Sequence, residues 1–402
     1  MSGPLAGLRV LDLGTRIAAP FCAGLLGEQG AEVIKVEQPG RGDFMRDIGP
    51  FATGTEGERT SLFWAVEGRG RKSVTIDLRT SRGQDLVRRL AAHADVLCEN
   101  FRPGTLEGWG LGPADLDPRL VIVRISAFGQ DGPYAERPGL DRSGIAYGGL
   151  LHLTGHPDRP PVRPGVTTSD YLTGAFAAQA AVAALYRRDA STAATGRGAV
   201  IDAALYGSVL RILEWTLAAY DRLGVVRERE GNRLANSAPL DNYPTADGRY
   251  VCLVAGSDAN FARLCAAMDR SDLLTDPRFA SLAERAKHGD EINRTVAAWT
   301  AACPAAEVEA AAVAHGVPVA TAYSAADIAD DPHMAARGDL VAIDDPVLGR
   351  LRQQAPFPRF AGEPRATPGG APRLGEHTRE VLGDVLGLTD AELDDLAAEG
   401  VI

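Results

Sequence analysis

The sequence predicts an α/β protein: a large domain built on a parallel sheet, joined to a smaller α+β domain. Three observations carry that expectation. Up to about residue 125, short and nearly all-apolar runs alternate with helical stretches, the pattern of buried parallel strands linked by crossover helices. From about Gly231 the texture changes to a hairpin followed by helical material broken by prolines. The length of 402 residues, with 45% hydrophobic residues, suits two or three folding units at roughly 100–200 residues each.

The elements follow in order. Strands are expected at Leu8–Leu13, Ala31–Glu37, Ser73–Leu78, Asp95–Asn100 and Leu120–Ser126, with helices at Ala19–Gln29 and Ser81–Ala94 between them. An alanine-rich helix follows Asp170, then a strand at Ala199–Leu205 and a helix around Leu210–Leu223. NYPTADGRYVCLVAG (Asn242–Gly256) reads as two strands turning at Asp247-Gly248. Helical material runs from Asn260 to about His315. The tail opens on a strand-like LVAIDD, is proline-rich between Pro346 and Pro372, and ends in helices at Glu376–Leu386 and Asp390–Ala398. Thr389 with Glu392 three residues on forms a capping-box pattern for the last of them. The domain limits read as 1–205 for the first part of the large domain, 206–230 a linker, 231–325 the small domain, 326–338 a second linker, and 339–402 a return to the large domain.

With 42 Lys+Arg against 53 Asp+Glu the net charge is −11, which argues against a general nucleic-acid binder but allows a local basic pocket for an anionic ligand. Five scattered cysteines, none in a CxxC pair, form no disulfide framework. The only HxxxH spacing, His152 to His156, crosses a glycine-containing loop, so no metal site is expected. Tyr171–Tyr186 is uncharged but shorter than the roughly 20 residues that span a bilayer, and no membrane segment is expected. The N-terminal stretch lacks the basic start and long apolar run of a secretory signal, so a cytoplasmic location is expected. A strand, turn, helix and second strand ending at Glu37 outline a dinucleotide-binding unit. Its phosphate loop, Gly14-Thr15-Arg16-Ile17-Ala18-Ala19, keeps only the first of three required glycines, which argues against NAD.

The blocks LDLGTRIAAPFCAGLLGEQGAEVIKVEQPGRGDFMR (Leu11–Arg46), RKSVTIDLR (Arg71–Arg79), ADVLCENFRPGTLEGWG (Ala94–Gly110) and SAFGQDGPYAERPGLD (Ser126–Asp141) resemble the successive signatures of the class III coenzyme A transferases. The likeness continues in order through TGRGAVIDAAL (Thr195–Leu205), DGRYVCLVAGSDANFARL (Asp247–Leu264), GVPVATAYSAADIADDPHMAARG (Gly316–Gly338) and LGEHTREVLGDVLGLTDAEL (Leu374–Leu393). The family includes formyl-CoA and carnitine CoA-transferases and the α-methylacyl-CoA racemases. The resemblance implies a Rossmann-like large domain assembled from both chain ends, and a homodimer whose two subunits interlock as rings.

It also implies a reaction: CoA moves from an acyl-CoA donor to a carboxylic acid acceptor, with CoA thioesters as substrates and no tightly bound cofactor. The family's nucleophilic aspartate falls on Asp170. A carboxylate is adequate against a thioester, whose carbonyl is weakly resonance-stabilised, and covalent capture divides one exchange into several nearly isoenergetic steps. Read without the resemblance, Asp170 is an ordinary helix N-cap. Asp141 falls where transferases carry a second acid near the nucleophile, although a turn residue after Pro138-Gly139 fits equally. Racemases place a proton-carrying histidine where this chain has Leu140, which weakens a racemase or isomerase reading. A non-catalytic CoA-binding homologue is the other alternative. Matching positions make Arg16, Ile17, Ala18, Ile76, Arg79, Asn100, Phe101, Arg102, Arg137 and Leu140 the expected contacts to CoA, with Arg71 and Lys72 adding charge nearby in sequence. Gln38 and Gly108 stand where formyl-CoA transferases have arginines.

Overall fold

A computed structural model describes residues 3–190, 196–364 and 366–402. Thr195, which opens one of the matching blocks, lies outside them. The chain divides into two compact units. The first comprises Met1–Leu150, Pro164–Leu217 and Ala335–Ile402; the second comprises Leu151–Arg163 and Ala218–Met334.

The first unit is built on six parallel strands: β1 (Arg9–Asp12), β2 (Glu32–Glu37), β3 (Lys72–Thr75), β4 (Val96–Glu99), β5 (Val121–Ser126) and β6 (Val200–Ala204), in the order β3-β2-β1-β4-β5-β6. Val10 of β1 pairs with Val33 on one side and Val96 on the other. The chain winds outward in one direction from β1 and in the other from β4. A crevice therefore opens above their carboxyl ends, the usual ligand position in such sheets.

Strand alternation sends neighbouring residues to opposite faces, and each face has its own core. On one side Leu11, Ile34, Val74, Leu97 and Ile122 meet α2 (Ser81–Ala91) and residues Val381 and Leu393 of the C-terminal helices. On the other, Val10, Val33, Val96 and Val121 meet α1 (Ala18–Glu28) and α4 (Thr168–Asp189). Each fully buried aliphatic side chain contributes about 1.5–3 kcal/mol. Alanines 177, 181 and 184 of α4 let that helix lie close to the sheet and to α1. Between these elements α3 (Asp141–Tyr147) precedes α4, and α5 (Leu205–Arg211) follows β6.

The expected single helix around Leu210–Leu223 is corrected to two, α5 and α6 (Thr216–Leu223). Glu214, in left-handed backbone at φ 52°, separates them. Sequence reading also passed over a small hairpin, Phe51–Thr53 with Arg59–Ser61.

The second unit holds an antiparallel sheet of β7 (Leu240–Pro244), β8 (Tyr250–Val254) and β9 (Val319–Thr321), with β8 central. Gly248, at φ 75°, makes the β7–β8 turn. Phe261, Leu264, Ile292, Val296 and Val308 from the helices that follow fill its core. Back in the first unit, β10 (Leu340–Asp345) pairs with β11 (Gly349–Gln354). The last helix, Asp390–Ala398, is capped by the reciprocal Thr389–Glu392 bonds. Among the described residues, no helix is long and apolar enough to cross a membrane.

Candidate active site

The crevice is shaped by the loops that leave β1 and β4. Asn100, just past β4, accepts the Thr15 N–H at 2.8 Å and donates to the Thr15 carbonyl at 2.7 Å, so one amide side chain clasps the β1–α1 loop. Beside this clasp is a cavity of about 230 Å³, bordered by Gly14, Thr15, Gln38, Ile76, Arg79 and Phe101. The Phe101 ring meets Trp109 edge-on at 5.1 Å. Arg79 stands exposed at this cavity, its guanidinium folded onto Asp77 at 2.7 Å.

Below the loop lies a buried charge network. Lys35, fully buried in β2, sits 3.0 Å from Asp43 and 3.5 Å from Asp12, and donates to the Gly14 carbonyl. Asp43 in turn accepts the Arg16 N–H at 3.0 Å and the Met45 N–H at 2.8 Å. These bonds hold Arg16 in left-handed backbone at φ 66°, a conformation uncommon for a side-chain-bearing residue outside asparagine and aspartate. Its guanidinium projects outward over the Phe44 ring, 4.2 Å from the centroid.

The second part of the site is the start of α4. Thr167 precedes this helix without a side-chain cap, and Asp170 is its third residue, so Asp170 is not the cap. Asp141 does that work from α3: its carboxylate accepts the Ser169 N–H at 2.8 Å and the Ser169 hydroxyl at 3.0 Å. Close approach of the two helices requires Gly144, where an added Cβ would lie 2.6 Å from the Ser169 hydroxyl.

One turn after Asp170, Gly174 rests on α1. A Cβ there would lie 2.8 Å from the Ala18 carbonyl and 2.9 Å from the Phe21 ring. Tyr171 packs edge-on against Phe21 at 4.7 Å and donates to Glu67 at 2.8 Å. Because residues four apart share a helix face, Asp170 looks toward the start of α1, where Arg16, Ile17 and Ala18 lie. Burial, and then the negative charge of Asp141, push the Asp170 carboxyl up to about 7 from its ordinary 3.8, while Arg16 pulls the other way.

The expected contact residues are thus distributed unequally. Arg16, Ile17, Ala18, Ile76, Arg79, Asn100 and Phe101 gather around the two sides of the β1–α1 loop. Arg102 is exposed in the loop after β4, and Arg137 is exposed with its guanidinium 3.4 Å from the Tyr134 ring centroid. Leu140, 56% exposed, immediately precedes α3. Arg71 is buried, bonded to Asp12 at 2.8 Å and to the Pro20 carbonyl at 2.6 Å, so its charge is directed inward. Lys72 pairs with Glu32 and Glu380 at the opposite end of β3 from the crevice.

Sequence reading missed Lys35, Asp43 and Ser169. A lysine inside the otherwise apolar VIKV was the available signal for the first; nothing local marked the other two. His152 is exposed and 3.2 Å from Glu228. Among the described residues, no group of three metal-ligating side chains comes together.

The sequence pattern of CoA-transferase family III matches residues 5–378. The chain belongs to that family. It is a family III CoA-transferase and therefore acts on CoA thioesters. It is similar to the succinyl-CoA–D-citramalate CoA-transferase of Chloroflexus aurantiacus, with 45% identity over 99% of this chain and 98% of that one. The beta subunit of the succinyl-CoA–L-malate CoA-transferase of the same organism is 42% identical over 99% and 98%. The succinyl-CoA:glutarate CoA-transferase of Mus musculus is 33% identical over 99% and 90%. Among solved structures, a CaiB/BaiF family protein from Brucella suis superposes with a TM-score of 0.84 at 34% identity, covering 96% of this chain and all of that one.

Proposed function

We propose that this family III CoA-transferase takes CoA from succinyl-CoA and gives it to a short dicarboxylic or hydroxydicarboxylic acid through covalent capture on Asp170. One observation carries the reading: a half-buried carboxylate with a raised pKa, fixed in the first turn of α4 and facing the loop that borders the crevice. The relatives similar over their whole length act on succinyl-CoA with D-citramalate, L-malate or glutarate, which supports the substrate class.

The steps balance without an outside reagent. An Asp170 carboxylate oxygen attacks the thioester carbonyl, the C–S bond breaks, and CoA leaves as thiolate with an acyl-aspartyl anhydride left behind. The thiolate attacks the aspartyl carbonyl, releasing succinate and forming an aspartyl-CoA thioester. The acceptor carboxylate attacks that thioester and expels the thiolate. The thiolate then takes the acceptor's acyl carbon from the new anhydride and restores Asp170. Each intermediate keeps the activated acyl bond, provided that water is kept away from the anhydride. A higher carboxyl pKa makes Asp170 a better nucleophile once ionised.

CoA fits the crevice with its nucleotide end in the cavity between Phe101 and Ile76. Arg79 and Arg102 are the phosphate partners there, Asn100 holds the loop, and Ile17 and Ala18 border the path to Asp170. Asp141 acts on Asp170 through Ser169 and through its charge. Arg137 and Leu140 flank α3 in this reading, and Arg71 and Lys72 support the fold rather than the ligand.

The protein works in the cytoplasm as an interlocked homodimer. In support, α6 has no buried residue, and Leu217, Tyr220 and Leu223 are 57%, 60% and 74% exposed, an apolar surface suited to a second copy.

The test is chemical. Incubation with succinyl-CoA and hydroxylamine should leave a hydroxamate on Asp170, read by peptide mass, and Asp170→Ala should abolish both adduct and transfer. Retained transfer in the alanine variant overturns the reading.

A further inference from the structure

Transfer between dicarboxylic acids poses a recognition problem that the nucleophile does not solve. Succinyl-CoA and butyryl-CoA have the same chain length and the same CoA. They differ in one charged group at the far end of the acyl chain, so discrimination needs a group near Asp170 that favours that charge, and a cation does so most strongly.

The first unit offers few free ones there. Lys35 is spent between Asp12 and Asp43, and Arg71 between Asp12 and the Pro20 carbonyl. Arg16 differs from both. It is exposed, and among the described residues no carboxylate lies within ion-pair distance of its guanidinium. The Phe44 ring lies 4.2 Å from the centre of its guanidinium, and among the described residues its guanidinium N–H groups make no hydrogen bond. It stands two residues before Ala18, whose carbonyl touches α4 one turn beyond Asp170. The left-handed backbone at Arg16 is maintained by a buried network whose end point is the Arg16 N–H itself. A strained backbone fixed in this way aims one side chain, which is the usual setting of a group that touches a ligand.

We propose that Arg16 receives the distal carboxylate of the dicarboxylic acyl group while the thioester carbonyl lies against Asp170, which makes Arg16 the residue that selects dicarboxylic over monocarboxylic acids. The inference rests on the assignment of Asp170 as nucleophile. The planar fork of arginine suits a carboxylate and cannot lose its charge at working pH. A CoA phosphate contact would act on every CoA thioester alike; a distal-carboxylate contact acts on dicarboxylic ones alone.

The experiment compares succinyl-CoA with butyryl-CoA as donors in the first half-reaction, following the enzyme-CoA thioester by intact mass. The substitution is Arg16→Asn, since asparagine tolerates left-handed backbone and removes the charge, with Arg16→Lys as the charge-retaining partner. Wild type should prefer succinyl-CoA. Measured well above pH 7, where Asp170 is ionised with or without the Arg16 charge, Arg16→Asn should lose about 10- to 100-fold in rate with succinyl-CoA and little with butyryl-CoA, and Arg16→Lys should recover part of the loss. Equal losses with both donors, or no loss with succinyl-CoA, overturn the assignment of Arg16 and leave Asp170 untouched. A wild-type protein that forms no adduct with either donor overturns the nucleophile reading, and that result is visible before any variant is made.

Discussion

The carboxylate of Asp141 accepts the backbone N–H of Ser169 at 2.8 Å, one residue ahead of Asp170. One acid therefore does two things to another. It anchors the first turn of the helix that carries Asp170, and its charge helps to lift the Asp170 carboxyl to about 7, after the larger effect of burial. A cap borrowed from a different helix also ties α3 to α4, so the position of Asp170 depends on tertiary contacts rather than on α4 alone.

The two roles of Asp141 separate by substitution. Asp141→Asn keeps an oxygen for Ser169 and removes the charge, so the acid limb of the rate profile should move to lower pH with the fold retained. Asp141→Ala loses the cap as well and should cost about 0.5–2 kcal/mol of stability. Thermal melts and pH–rate profiles of both variants check this; an unmoved acid limb in the asparagine variant contradicts the electrostatic role.

The raised pKa of Asp170 fixes the sign of two pH effects. Only the ionised carboxylate attacks, so kcat/KM should fall about tenfold per pH unit below about 7 and level off above it. Stability runs the other way. The folded protein retains a proton that the unfolded chain has already lost between 3.8 and about 7. The group's favourable contribution is therefore complete below 3.8 and is lost as the pH rises through about 7. Asp170→Asn should accordingly be more stable than wild type by about 1–3 kcal/mol at pH 8, and equal to it near pH 4. Melts at the two pH values read the difference directly.

What the sequence shows and hides follows from how local each signal is. The strands of the large unit were legible because parallel strands buried on both faces are written as nearly all-apolar runs. EVIKVE and VIVRIS are examples, and their limits fall within a residue or two of the expected ones. Only the resemblance sets Asp170 apart as a candidate nucleophile, since an acid at a helix start is most often a cap. Here the cap comes from Asp141, 29 positions earlier, and a contact at that separation leaves no periodic trace. The left-handed Arg16 was hidden for the same reason, because Asp43 and Lys35, which enforce it, lie in the next crossover and strand. Arg71 shows the converse: an arginine in a matching block looked available to a phosphate, and burial against Asp12 turned it inward.

Lys35→Met tests the network under the loop. Methionine fills the space of the lysine stem but leaves Asp43 without its 3.0 Å partner and the Gly14 carbonyl without its donor. Removing one member of a buried ionic group costs about 3–5 kcal/mol. The variant should melt markedly lower than wild type, and the surviving folded enzyme should show a raised KM for CoA thioesters as the Gly14–Arg16 loop loosens. Unchanged melting contradicts the assignment of Lys35 as the support of that loop.

Gly174→Ala brings the largest conflict between local and tertiary preference. In the interior of a free helix, alanine in place of glycine is favourable by about 1 kcal/mol. In α4 the new methyl would meet the Ala18 carbonyl at 2.8 Å and the Phe21 ring at 2.9 Å, closer than ordinary van der Waals contact. Helix α1 is itself packed into the sheet through Cys22, Ala23 and Leu26, all buried, so the cheaper adjustment is for α4 to lift away from it. That movement carries Asp170, four residues earlier on the same face, away from Arg16 and the crevice. The expected result is a folded protein, destabilised by about 1–3 kcal/mol, whose transfer rate falls far more than its stability. Adduct formation on Asp170, measured by intact mass alongside a thermal melt, separates the two effects. Wild-type rates in a stable alanine variant would show that the close packing of α4 on α1 does not position Asp170 for the reaction.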